Sequence, residues 1–367
     1  MNWFELQNAD EVPSPALLLF PDRIETNIRR MLSMVGAADR LRPHMKTHKL
    51  PELIRLQVEL GVTKFKCATI AEAEMTAGCG ARQVLLAYQP VGPNLGRFLS
   101  LQAKFPSVQF ACIADNPDTV AALAAAAREA GQRIEVLLDL DIGQHRTGIP
   151  PGDGAFELYR QIAGEASLVA GGLHAYDGHL HDNDPAVRKA AADAAFGPVQ
   201  GLCQRLVQAG WPVPRIIAGG TPTFPIHAKR AEVECSPGTC VLWDAGYAAK
   251  LPDLDFLTAA VLLTRVVSKP APHRLCLDLG HKAVASEMPH PRVVFLNLED
   301  AHAVGHSEEH LVVETPEAGK LGIGHCVYGI PWHVCPTVAL HSQVMIVRDN
   351  VAAGQWEVTA RRRALTV

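Results

Sequence analysis

No stretch of about 18 apolar residues occurs anywhere in the 367-residue chain, so no membrane-spanning helix is expected. There is no excess of basic charge either. The formal net charge is −4, which argues against a nucleic-acid-binding or membrane-surface protein. No glycine-rich dinucleotide fingerprint follows the first strand-like run, which counts against a nucleotide-binding open sheet. No low-complexity segment or short repeat interrupts the pattern. The segment Met1–Pro15 carries Glu5, Asp10 and Glu11 and has no apolar core of the kind a secretory signal needs. The nine cysteines are scattered, odd in number and without a tight framework, as expected of reduced thiols in a cytoplasmic protein.

What is present is a 48% hydrophobic content, enough for a sizeable core, and a long alternation of two periodicities. Pro21 opens a helical run with Ile24, Ile28, Met31, Leu32 and Val35 on one face. Eight strand-like runs follow: 41–46, 64–68, 83–88, 108–113, 134–140, 168–176, 215–218 and 232–235. Helical runs such as 70–80, 94–105, 118–131 and 185–210 separate them. This grammar predicts a (β/α)8 TIM-type barrel over residues 14–250, with an open doubly wound sheet as the alternative. Near Pro252 it changes to short, turn-bounded β runs (259–268, 274–278, 292–296, 310–315, 339–348 and 356–358), which predict a C-terminal all-β domain over 251–367, joined by residues 1–13.

In a barrel the residues just beyond each strand's carboxyl end meet at one rim, where chemistry is done. The first run, read as a strand, ends at Lys46 within Arg42-Pro43-His44-Met45-Lys46-Thr47-His48-Lys49. A lysine there is able to form a Schiff base with an aldehyde or ketone. The third run ends at Tyr88-Gln89. The fifth supplies Asp139, Asp141 and Gly143-Gln144-His145-Arg146-Thr147-Gly148, and the sixth His174-Ala175-Tyr176-Asp177-Gly178-His179-Leu180-His181. The last two end in Gly219-Gly220-Thr221 and Ser236-Pro237-Gly238-Thr239. Glycine turns at that place admit a phosphate to backbone N–H groups. A lysine for an aldehyde and two glycine turns for a phosphate together describe pyridoxal phosphate.

Farther on, His333 and Cys335 lie two apart. On an extended segment they would face one side and share an ion, and their donor types favour zinc. Buried structural residues are the competing reading. His325-Cys326 would point apart on an extended chain and reads as structural; His306 and His310 either reach the site or cap a strand, and the strand-capping reading is preferred.

With these motifs, together with Lys66-Cys67-Ala68-Thr69-Ile70-Ala71-Glu72-Ala73-Glu74 and His333-Val334-Cys335-Pro336-Thr337, the chain resembles the fold-type III pyridoxal-phosphate enzymes. These are the alanine-racemase-like barrels, and within them the resemblance is to the D-threonine aldolase and D-serine dehydratase branch. The resemblance spans both domains. It implies that Lys46 binds the cofactor aldehyde, that Arg146 bonds its phenolic oxygen and that Tyr176 lies near the pyridine nitrogen. It implies that Gly220, Thr221, Gly238 and Thr239 hold the phosphate. It also implies that His333 and Cys335 bind a divalent metal (zinc, manganese or magnesium), and that a loop histidine, His181 in preference to His179, acts on the substrate β-hydroxyl. The racemases carry an arginine facing the pyridine nitrogen where this chain has Ser236, so electron withdrawal needs support elsewhere, for which a metal is one source. The implied activity is retro-aldol cleavage of 3-hydroxy-D-amino acids by a homodimer. Dehydration to a keto acid and ammonia is the closest rival, favoured by Cys335 because aldolases of the branch often carry a carboxylate there. Racemisation and non-catalytic cofactor binding are weaker readings.

Overall fold

A computed structural model describes residues 1–367. The chain divides into two compact units: residues 30–46, 51–238 and 362–367, and residues 1–29, 47–50 and 239–361.

The first unit is a parallel barrel. Its seven regular strands are β2 (Lys64–Cys67), β3 (Gln83–Leu86), β4 (Gln109–Ala114), β5 (Ile134–Leu140), β6 (Leu168–Ala175), β7 (Ile216–Ala218) and β8 (Val233–Cys235), paired in that order; β1 (Ala16–Leu19) belongs to the other unit. The eighth run expected at 41–46 is not a ladder strand. Pro43 has no N–H to give, so only alternate groups pair. Arg42 N–H donates to the Cys235 carbonyl at 2.8 Å and His44 N–H to that of Pro237 at 2.9 Å, while the Pro43 carbonyl accepts from Lys66 N–H at 2.9 Å. These bonds and the bridges Leu41–Cys235 and His44–Lys66 close the ring between β8 and β2. The run then ends in a 3-10 turn, Met45–Thr47.

Local sequence sets the helices between strands. Pro51, Pro93, Pro117 and Pro185 each stand at a helix's first position, where no N–H partner is required. The stretch Thr69-Ile70-Ala71-Glu72 caps its helix: the Thr69 hydroxyl accepts from Glu72 N–H at 3.1 Å, and the Glu72 carboxylate reaches past the cap to accept from Ala68 N–H at 2.6 Å.

Alternate residues of the strands face the barrel interior. Toward the amino ends lies an ionic layer: Glu234 takes Arg42 and Lys64, each at 2.7 Å, and Glu135 takes Arg215 at 2.9 Å. Above it Leu85, Ala111, Ile113, Leu137 and Ile217 form an apolar cluster.

The second unit is a mostly antiparallel sheet built on β9 (Ala260–Ala271), which pairs with β1, β10 (Arg274–Leu277) and β14 (Cys326–Pro331). It continues through β11 (Val293–Phe295), β12 (His302–His306), β13 (Leu311–Glu314), β15 (Gln343–Arg348) and β16 (Val351–Glu357). The buried run β1 lies between β9 and β15 in this sheet, although the boundary expected at residue 14 assigns it to the barrel. Strands β12 and β14, rich in His, Gly and Pro, give no clear two-residue alternation in sequence. No helix is long and apolar enough to cross a membrane, and all nine cysteines are free thiols.

Candidate active site

A cleft opens at the carboxyl-terminal rim of the barrel, lined by His44, Lys46, Lys66, Asp139, His174 and Tyr176, with Gln144, Arg146 and Thr147 above them. Its centre is the Tyr176 ring. Lys46 Nζ stands 5.6 Å from the ring centroid, Lys66 Nζ 5.3 Å and the Arg146 guanidinium carbon 5.2 Å. Three basic side chains thus surround one aromatic ring, whose quadrupole attracts the charged ones, and three of the residues that the sequence singles out, Lys46, Arg146 and Tyr176, meet there. Lys46 is half-buried and turned into the cleft rather than into solvent.

Each element has a visible support. Tyr176 ends β6 and folds back over glycines: a Cβ on Gly178 would lie 2.1 Å from the tyrosine oxygen, and one on Gly220 would lie 3.1 Å from the ring. Arg146 rides a loop pinned at both ends. Asp141 accepts from the Gly143 and His145 N–H groups at 3.0 Å each, and Asp115 accepts from Gly148 N–H at 2.8 Å. Gln89 in turn donates to Asp115 at 2.8 Å, which gives it a supporting place behind the loop, whereas Tyr88 is exposed. The two glycine turns do come together, for Gly238 N–H donates to the Thr221 hydroxyl at 3.2 Å. Beneath them Gly220 N–H donates to Thr223, which donates to Asp177 at 2.7 Å, and the other Asp177 oxygen meets the buried His227 at 2.8 Å.

Three further residues named in the sequence, but given no individual role there, meet in the cleft. The side chains of His174 and Asp139 pair at 2.6 Å, both buried. Burial, then the Lys66 charge, push the His174 imidazole below its ordinary range, while Asp139 pulls the other way. Lys66 is the third. In the pattern Lys64-Phe65-Lys66-Cys67 its lysines read as a solvent face, but the interior of a closed barrel has no such face. Its register beside His44, two residues before Lys46, is the signal that would have found it.

Of the two loop histidines, His181 is exposed, whereas His179 is half-buried against Gly143 with its Nδ1 buried and unpartnered.

The cleft fits pyridoxal phosphate on three observations. It gathers cations without carboxylate partners around an aromatic ring. It joins two glycine turns. It leaves buried polar atoms unmet, namely Asp139 Oδ2 and His174 Nε2, and such atoms are costly unless something pairs with them.

The second unit holds His333 and Cys335, but not on an extended segment. His333 is extended and precedes the helix Val334–Leu340, so Cys335 lies in its first turn. Pro336 suits that turn, and Asp244 accepts from Val334 N–H at 3.0 Å. The two side chains still shift each other's titration. Burial opposes charge on His333, but Cys335 and then Glu287 outweigh it and raise the imidazole to about 9; burial likewise opposes the Cys335 thiolate, and His333 outweighs it. Cys335 also meets the Thr47 hydroxyl at 3.3 Å and the Thr239 hydroxyl at 3.6 Å, which sets Thr239 beside this pair. Glu287 engages His333 Nδ1 at 2.5 Å, leaving Nε2 as the remaining nitrogen. A thiol and an imidazole together are a donor pair suited to zinc, yet no cluster of three or more His, Cys, Asp or Glu side chains completes a shell. His306 ends β12, as expected of a residue at a strand end, accepting from Arg292 at 2.9 Å with its ring 4.3 Å from that of His281.

A parallel barrel with a rim lysine, paired glycine turns and an appended β unit defines the class of alanine-racemase-like barrel enzymes. The family model described as "Alanine racemase, N-terminal domain" matches residues 21–243, and that described as "Putative serine dehydratase domain" matches 259–347. The chain is 30% identical over 361 residues to a D-threonine aldolase of Arthrobacter sp., covering 95% of this chain and 93% of the relative. It is 30% identical over 237 residues to a D-threo-3-hydroxyaspartate dehydratase of Delftia sp. strain HT23, covering 63% of this chain and 61% of the relative. The crystal structure of D-threonine aldolase from Filomicrobium marinum superposes with a TM-score of 0.90 at 29% identity, covering 98% of both chains. The chain belongs to the alanine racemase N-terminal domain family and is a pyridoxal-phosphate-dependent lyase similar to the D-threonine aldolases.

Proposed function

We propose that the protein cleaves the Cα–Cβ bond of 3-hydroxy-D-amino acids, with D-threonine as the type, to give glycine and an aldehyde, and that it works as a cytoplasmic homodimer with a divalent ion. The observation that carries the cofactor half of this reading is the convergence of Lys46, Lys66 and Arg146 on Tyr176 at the barrel rim. When bound, pyridoxal phosphate supplies an aldehyde for amine exchange and a sink for the electron pair of the broken bond. Lys46 would hold the aldehyde, Arg146 would bond the phenolic oxygen, and the turns carrying Gly220, Thr221, Gly238 and Thr239 would hold the phosphate. His179, half-buried with an unmet nitrogen, takes the proton of the substrate β-hydroxyl. His333 and Cys335 are the residues that would hold the ion, which supplies Lewis-acid polarisation of that hydroxyl.

Borohydride treatment of the loaded protein should fix the cofactor's mass on the peptide containing Lys46. Lys46→Ala should lose that label and the visible absorbance, whereas an unchanged label in this variant overturns the assignment. Turnover should fall on chelation and return with zinc, manganese or magnesium; cofactor exchange without turnover would instead indicate a cofactor-binding protein.

One observation favours a second reading, dehydration to a keto acid and ammonia. The thiol of Cys335 stands where the resembling aldolases often carry a carboxylate, and the chain has a hydroxyaspartate dehydratase among its relatives. Assaying aldehyde against ammonia from D-threonine and D-serine separates the two outcomes.

A further inference from the structure

Lys66 differs from the lysine two residues before it. Both project from β2 into the barrel. Lys64 is ion-paired with Glu234 at 2.7 Å, as a lysine that merely fills the interior should be. Lys66 is 2% exposed, stands in register with Leu85 of the apolar cluster and forms no ion pair. Lys46, Arg146 and Tyr176 face it, and its backbone is bridged to His44. Of the nearby carboxylates, Asp139 holds His174 with one oxygen and leaves the other unmet without reaching Lys66, and Asp177 spends both oxygens on Thr223 and His227.

We infer that Lys66 is a proton-coupled anion receptor, which takes up a proton when an oxyanion enters the cleft beside Tyr176. The inference rests on the pyridoxal-phosphate reading of the cleft. The oxyanion belongs either to the cofactor, as its phenolate, or to the substrate, as its carboxylate. Burial, then the Lys46 charge, push the Lys66 amine down to about 7, against the pull of Asp139 and Asp177. In the empty cleft the amine is therefore mostly neutral above that pH. A buried oxyanion favours the charged form and raises the affinity for a proton, so binding draws one from solvent. Two cations facing one ring need not both be charged until a negative group arrives, and this spares the apolar layer an unpaired ammonium.

Isothermal titration in buffers of different ionisation enthalpy counts the protons. One arm adds pyridoxal phosphate to cofactor-free protein. The other adds D-alanine, which has the amine and carboxylate but no β-hydroxyl, to the loaded protein. At about pH 8, wild-type protein should take up about one proton more than Lys66→Met in one of the arms. The arm showing it identifies the oxyanion as cofactor or substrate. At about pH 6 the difference should shrink, because Lys66 is then already charged. Lys66→Arg, permanently cationic, should bind without the extra proton, which keeps the test open if Lys66→Met folds poorly. Equal proton counts for wild type and both variants in both arms overturn the inference while leaving the cofactor reading standing. Failure of wild-type protein to bind pyridoxal phosphate at all overturns both.

Discussion

At the scale of single residues, the cleft depends as much on what is absent from a side chain as on what is present. Tyr176 keeps its position over the cleft because Gly178 offers no Cβ to meet its oxygen. The contact is with the far end of a side chain rather than with backbone, so an added methyl should displace the ring and leave the fold intact. Gly178→Ala is therefore expected to weaken pyridoxal phosphate binding by about tenfold, roughly 1.4 kcal/mol, with little change in the thermal midpoint of the cofactor-free protein. Fluorescence titration alongside thermal melts checks this; an unaltered affinity would show that the ring's place is immaterial. Lys46, Arg146 and Tyr176 were legible in sequence because each follows a strand. The choice between His179 and His181 was not, because loop residues have no periodicity to fix their direction and only packing against Gly143 buries one of them.

At the scale of elements, the barrel's strand order follows from the alternation of helix and strand patterns, since parallel neighbours need a crossover between them. Its closure did not follow as drawn. Pro43 interrupts the first run, which joins β8 and β2 by separate bonds instead of a ladder. Below the cleft, the ionic layer compensates at this seam. Glu234 of β8 grips Arg42 of the closing run and Lys64 of β2 at once, and these two cations hold its carboxyl below its usual range against the opposing effect of burial. Removing the charge of one member of a buried cluster strands the others. Glu234→Gln leaves Arg42, 1% exposed, without its anion, so a loss of about 3 kcal/mol in urea unfolding is expected. A loss below about 0.5 kcal/mol would mean that the seam is held by backbone bonds alone.

At the scale of the whole molecule, the long segment of the second unit begins at Thr239, ahead of the change of sequence grammar near Pro252, and β1 joins that unit from the chain's other end. A short, fully buried apolar run such as Ala16–Leu19 carries no sign of which sheet it enters. The units share a feature that sequence cannot show: several histidines are buried in neutral form. His48 is the extreme case. It is wholly buried, with its Nδ1 accepting from Leu50 N–H at 3.1 Å, and burial together with the adjacent Lys49 charge drives it down to about 3. The unfolded chain binds a proton on this ring below its ordinary value of 6.5 and the folded protein does not, so stability is full above pH 6.5 and falls as the pH drops toward about 3. The slope contributed by this one residue is about 1.4 kcal/mol per pH unit, and His174, displaced in the same direction, adds to it. Urea midpoints measured between about pH 7 and about pH 4 should fall steadily for the wild-type protein. His48→Asn keeps an acceptor for Leu50 but cannot titrate, so its curve should be shallower by that amount even if its midpoint at neutral pH is lower. Parallel curves for the two proteins would show that acid stability is set by the carboxylate network and not by the buried ring.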